Sequence, residues 1–180
     1  MSRLATLDPA TATGPAGELL AAVQSRLGRP APNMMRAMAV APPVLRAYVE
    51  FSGALAGGRL EGRLREKIAL AVSERNRCGY CVDAHTLIGA RFGLEPDELL
   101  DARRGRSRDP AHSAALAFAL KLAGGHGDVS DADVEALRKA GFDDGQVAEI
   151  TAHVALAIFT NLFNHVAGTA SDFPPAPRLA

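Results

Sequence analysis

The chain has 180 residues, with 20 basic and 20 acidic side chains and a formal net charge of zero. That length buries roughly 70% of the surface exposed by the unfolded chain, which is enough for one domain with its own core. The charge balance argues against a dedicated nucleic-acid or anionic-membrane surface, since both draw on clustered positive charge.

No window approaches about 18 consecutive apolar residues, and no charged stretch followed by an apolar run opens the chain, so a soluble, cytoplasmic protein is expected. Aromatic residues make up 5% of the sequence. Val, Ile and Thr do not gather into alternating runs, so the composition predicts an all-α fold in a single compact helical domain.

Residues 1–15, rich in Ala, Thr, Pro and Gly, read as a flexible or loosely docked arm. A first helix is predicted over 18–27, with Leu19, Leu20, Val23 and Leu27 at helical spacing, stopped by Gly28, Pro30 and Pro32. Asn33 is placed to cap a short segment that ends before Pro42 and Pro43, and Pro43 opens a helix closing at Gly57 and Gly58. The next helix runs from Leu60 to about Asn76, with Glu61 and Arg65 paired across one turn on its wet side. A tight turn at Asn76 and Arg77 leads into a helix from about Cys78 to Phe92, so the two form an antiparallel hairpin.

A short helix over 96–102 is followed by the basic run RRGRSR, read as a solvated turn. Helices over 110–123 and 131–140 come next, the second capped by Ser130 with Asp133 in a variant of the capping box. The last helix, over 143–167, is apolar on more than one face and belongs in a core or an oligomer interface. The tail SDFPPAPRLA cannot continue it. No repeat or linker divides the chain, giving an arm over 1–15, a helical domain over 16–174 and a tail over 175–180.

The chemistry concentrates between Glu66 and His85. Both cysteines of the chain lie there as C-x-x-C, which in a reducing compartment is more often catalytic or metal-binding than structural. Cys81 falls in the first turn of its helix, where free N–H groups and the helix dipole lower a thiol pKa. His85, four residues on, shares its helix face and is placed to exchange the thiol proton. Glu66, on the preceding helix, falls within about a helical turn of His85 in height and is the candidate to orient it.

The pattern formed by Glu66, Cys78, Cys81 and His85, E-x11-C-x2-C-x3-H, resembles the signature of the AhpD-like alkylhydroperoxidases of the carboxymuconolactone decarboxylase superfamily. PNMMRAM at 32–38, the APPVLRAY run to Tyr48, RLREKIALAVSE and NLFNHVAGTASDFP are similar to the same family, and the resemblance covers roughly residues 28–174. It implies an AhpD-like helical fold and a thiol-dependent peroxidase, a disulfide oxidoreductase acting on organic hydroperoxides. Cys81 would be the peroxidatic thiol, Cys78 the resolving thiol, and Glu66 with His85 the proton relay. It further implies re-reduction by an external dithiol, lipoyl or thioredoxin-like, and a homo-oligomer. No cofactor and no metal are implied. One position departs: the best-known branch has a histidine immediately before the second cysteine, where this chain has Tyr80, a poor base at neutral pH.

Other readings remain open at this level. Cys78, Cys81 and His85 with His153 or His165 are four possible zinc ligands, and a lyase acting on a small lactone or a non-enzymatic redox protein are alternatives. Haem attachment is excluded, because Val82 and not histidine follows Cys81. His112 and His126 read as solvent histidines, and His153 and His165 as satisfied core or interface groups.

Overall fold

A computed structural model describes residues 2–179, among which there are nine helices and no strand. They are α1 (Gly14–Leu27), α2 (Asn33–Met38), α3 (Pro42–Ala56), α4 (Gly62–Arg75), α5 (Gly79–Arg91), α6 (Pro96–Arg103), α7 (Pro110–Gly124), α8 (Asp131–Lys139) and α9 (Asp144–Ala167). Proline opens α1, α3, α6 and α7, where its missing N–H has no intrahelical partner to lose. Capping boxes start α6, α8 and α9 at Glu95, Ser130 and Asp143. The predicted box of Ser130 with Asp133 is among them.

The helix α4 is the centre of the fold. It packs on α5, α6, α7 and α9, which is why Leu64, Lys67, Ile68, Leu70, Ala71, Val72 and Ser73 are all buried although they do not share one face. One core cluster joins α4 to α7, α8 and α9 through Leu64, Ile68, Leu116, Leu137, Ile150 and Val154. A second gathers Leu20, Val23, Met34, Met38 and Leu45 around Cys78, Tyr80 and Cys81. The thiol pair therefore sits inside an apolar cluster and not on a surface.

α4 and α5 form the expected hairpin. Its turn is closed by the Cys78 N–H donating to the Ser73 carbonyl at 2.9 Å, and it requires Arg77 at φ 56°, a left-handed conformation that costs a non-glycine residue about 1–2 kcal/mol. The two helices also meet at Gly89, where an added Cβ would lie 2.8 Å from a Leu99 methyl and 3.7 Å from the Glu66 Cβ.

Several local expectations are corrected. Pro32 and not Asn33 occupies the cap of α2; Asn33 is its first helical residue, its N–H donating to Asp172 and its amide to the Ala170 carbonyl. Glu61 pairs with His112 at 2.8 Å and Arg65 donates to the Leu55 and Ala56 carbonyls, so the two do not pair with each other. Arg103, in the run read as solvated, is buried, bound to Glu74 at 2.7 Å and to the Pro177 carbonyl.

At the N-terminal end, Leu7 and Arg36 exchange two bonds through the Leu7 N–H and carbonyl, and the Arg3 N–H reaches the Ala167 carbonyl. α9 is long and apolar enough to cross a membrane, with a mean hydropathy of 1.3 over 18 residues. Here one face of it is buried, through Ile150, Val154, Ala157, Asn161 and Asn164, and packs on α3, α4 and α7.

Candidate active site

Cys78 is the N-cap of α5 and Cys81 lies in its first turn. Their sulfurs are joined as a disulfide with the Cα atoms 5.3 Å apart, and both residues are buried. A reduced Cys81 at this first-turn position has free backbone N–H groups and the positive end of the helix dipole near it, which favour a thiolate. A second donor comes from α9: the Asn164 amide N–H lies 3.3 Å from Cys81 Sγ and 3.2 Å from Met34 Sδ. Asn164 is 5% exposed, and its Oδ1 is buried without a partner.

His85 stands one turn beyond Cys81, its Nδ1 2.7 Å from Glu66 Oε2. A carboxylate accepts only, so Nδ1 carries the proton in this bond and Nε2 is left with a free lone pair. Glu66 thus fixes both the tautomer and the direction of the ring. Tyr48 of α3 completes this corner. Burial, and then the Glu66 charge, push its phenol up to about 12, so it is a donor at neutral pH.

Tyr80, between the cysteines, is held away from chemistry. Its hydroxyl donates to Asp172 at 3.0 Å, accepts from the Met34 N–H at 3.2 Å, and its ring meets Phe173 edge-on at 5.4 Å. Burial, foremost, keeps its phenol protonated far above the ordinary tyrosine range. It is a strut that ties the thiol turn to α2 and to the tail. The tail in turn is pinned to α5 by Asp83, which accepts from the Ser171 hydroxyl and the Ala176 N–H, each at 2.8 Å.

Two adjoining cavities share His85, Tyr48 and Ile88 in their walls. The larger, about 380 Å³, reaches Cys81 between α1, α2, α3 and α5, and its walls are mostly apolar. The smaller, about 270 Å³, contains Glu66 and His153. His153 Nε2 is buried without a partner, and desolvation, then Arg65, hold its pKa below the ordinary value, so it is neutral at pH 7. It is not a satisfied core histidine.

His165 is exposed, with Nε2 2.8 Å from the Asn76 carbonyl. His112 is no solvent histidine either, being enclosed between Glu61 and Lys67. Among the described residues no three His, Cys, Asp or Glu side chains converge as a metal site.

Residues 42–124 match the carboxymuconolactone decarboxylase family. A solved structure described as an alkylhydroperoxidase AhpD core, an uncharacterized peroxidase-related protein from Ralstonia eutropha JMP134, superposes with a TM-score of 0.85 at 30% identity, covering 95% of this chain and 92% of that one. The chain belongs to the AhpD-like carboxymuconolactone decarboxylase family. An uncharacterized peroxidase-related protein from Silicibacter sp. TM1040 gives 0.79 at 25% identity over 94% of each chain. A cysteine-to-alanine variant of the debrominase Bmp8, bound to 2,3,4-tribromopyrrole, gives 0.79 at 20% identity over 96% of this chain and 92% of that one, a likeness of fold. No curated protein sequence matches the chain. The AhpD-like fold therefore carries more than one chemistry.

The structure brings Glu66 against His85 and joins Cys78 to Cys81, uniting on one hairpin the four residues singled out from sequence. Sequence reasoning gave no role in the site to Asn164 or Tyr48, and read His153 as a possible zinc ligand or a satisfied core or interface group. Asn161 and Asn164 did carry a signal, as two carboxamides on the stripe that otherwise buries Ile150, Val154 and Ala157.

Proposed function

We propose that the protein is a thiol-dependent peroxidase that reduces organic hydroperoxides through Cys81 and Cys78. The observation that carries this reading is Cys81 at the wall of an apolar cavity together with a His85 whose Nδ1 is held by Glu66 at 2.7 Å.

In the reduced protein His85 Nε2 takes the Cys81 proton, and the thiolate is stabilised by the α5 N-terminus and the Asn164 N–H. The sulfur attacks the terminal oxygen of R–O–O–H. A sulfur–oxygen bond forms, the oxygen–oxygen bond breaks, and the departing alkoxide takes the proton back from His85 to leave as alcohol. The Cys78 thiolate then attacks the Cys81 sulfenic acid, the disulfide forms, and hydroxide leaves as water with the remaining proton. One hydroperoxide and two thiols give one alcohol, one water and one disulfide. An external dithiol, lipoyl or thioredoxin-like, returns two electrons and two protons by exchange. Self-association belongs to the same reading, on the side of α9 where Leu162 and Val166 are 60% and 61% exposed.

Mixing the reduced protein with limiting cumene hydroperoxide should consume two thiols and yield the disulfide by mass. Thiol loss no faster in wild type than in Cys81→Ser would refute the assignment. Undiminished turnover of a small lactone after replacement of both cysteines would instead favour a lyase.

A further inference from the structure

The cavity that reaches Cys81 has a charged mouth and no acidic wall. Arg26, near the end of α1, and Arg29, just beyond it, line this cavity, and no Asp or Glu does. Neither guanidinium has a hydrogen-bonding or ion-pairing carboxylate among the described residues. Each instead lies against an apolar surface: Arg26 over Gly53 of α3, where a Cβ would come within 3.1 Å of its Nη1, and Arg29 over the Phe173 ring at 5.5 Å. The same walls include Val23, Met34, Met35, Val49 and Ile88, together with Cys81 and His85. Arg26 is exposed and Arg29 half-buried whereas Cys81 is buried, so the cations lie on the solvent side of the cavity and the thiol on its inner side.

We propose that the substrate is an amphiphilic carboxylate, a hydroperoxide whose anionic group binds Arg26 and Arg29 while its apolar body carries the peroxide to Cys81. The proposal rests on the peroxidase reading for the reaction, but its binding part stands alone. A cavity of about 380 Å³ is in the range that encloses a small amphiphile. Guanidinium groups bind carboxylates with two parallel N–H donors. Gly53 leaves the space that the Arg26 guanidinium occupies, with its Nη1, Nη2 and Cζ all within 4 Å of where a Cβ would stand. The same pair of charges disfavours cationic ligands.

Two measurements separate the parts. The first uses decanoate and 1-decanol as non-reactive probes, titrated calorimetrically into the intact protein at low ionic strength. Decanoate is expected to bind about tenfold or more tightly than the alcohol, since a charge-assisted contact contributes on the order of 1.5–3 kcal/mol, and salt should narrow the gap. In R26Q/R29Q the ratio should fall to within about twofold, and in R26K/R29K most of it should return. Equal affinities in wild type, or a ratio unchanged in R26Q/R29Q, would overturn the proposal.

The second compares Cys81 oxidation by linoleic acid hydroperoxide and by its methyl ester. A faster reaction with the acid, lost in R26Q/R29Q, supports the substrate class. Equal rates with both, at normal oxidation by cumene hydroperoxide, reject the substrate class and leave the peroxidase standing. Absence of Cys81-dependent oxidation by any hydroperoxide rejects the peroxidase, while the binding titration still decides what the cavity holds.

Discussion

Asn164 shows how much one carboxamide contributes to a buried thiol. Its N–H is the one side-chain donor on Cys81 Sγ among the described residues, and a hydrogen bond to a charged acceptor is worth about 1.5–3 kcal/mol. Asn164→Leu should therefore raise the Cys81 pKa by about one to two units, at 1.36 kcal/mol per unit, and slow peroxide reduction about tenfold at neutral pH. The thiolate absorbance of the reduced protein followed against pH measures the first effect; an unchanged titration would remove Asn164 from the site. Glu66→Gln keeps an acceptor for His85 but loses the charge, so the rate should fall while the fold is retained. The cysteines, His85 and Glu66 were legible because their spacing is a local property of one hairpin. Asn164 was not, because α9 comes to the thiols from more than 80 residues away and only the packing shows which face it presents.

At the scale of elements, the packing of α5 on α6 depends on the missing side chain at Gly89. A Cβ there already crowds Leu99 and Leu94. Gly89→Val adds three carbons to this crossing and should destabilise by about 1–3 kcal/mol, seen as a lower midpoint in denaturant. Because the Glu66 Cβ lies 3.7 Å from the same added Cβ, peroxide reduction should fall as well. A variant with normal stability and normal rate would show that the α5–α6 packing has slack. Helix positions were legible from prolines and caps, and the boundaries shifted by no more than a few residues. Arg103 and His112 were misread because a charge run or a lone histidine looks solvated until the partners arrive. For Arg103 those partners are Glu74 on α4 and the Pro177 carbonyl in the tail; for His112 they are Glu61 and Lys67.

Across the whole molecule, a buried cation joins three helices. Lys67 of α4 meets Glu98 of α6 at 3.1 Å and His112 of α7 at 3.3 Å, and Arg63 binds Glu98 through both oxygens at 2.8 Å. Burial alone would raise the Glu98 pKa, but the Glu95 N–H, Lys67 and Arg63 overcome it and hold the group at about 2 against an ordinary 4.5. A carboxylate depressed on folding contributes stability above its unfolded pKa and loses it as pH falls through the folded one. The protein should thus lose stability between about pH 4.5 and about pH 2. Glu98→Gln should flatten that slope and, by leaving Lys67 without its carboxylate, cost on the order of 3 kcal/mol at pH 7. Denaturant titrations at pH 3 and pH 7 measure both.

The tail has one more consequence, set by the order of synthesis. Phe173 is the last wall residue of the cavity to leave the ribosome, and the Asp172 carboxylate that anchors Tyr80 precedes it by a single residue. The hairpin with both thiols is made long before. For that interval the nascent chain carries two thiols whose enclosure does not yet exist, so Cys78 and Cys81 are open to soluble thiols and oxidants that the finished cavity would screen.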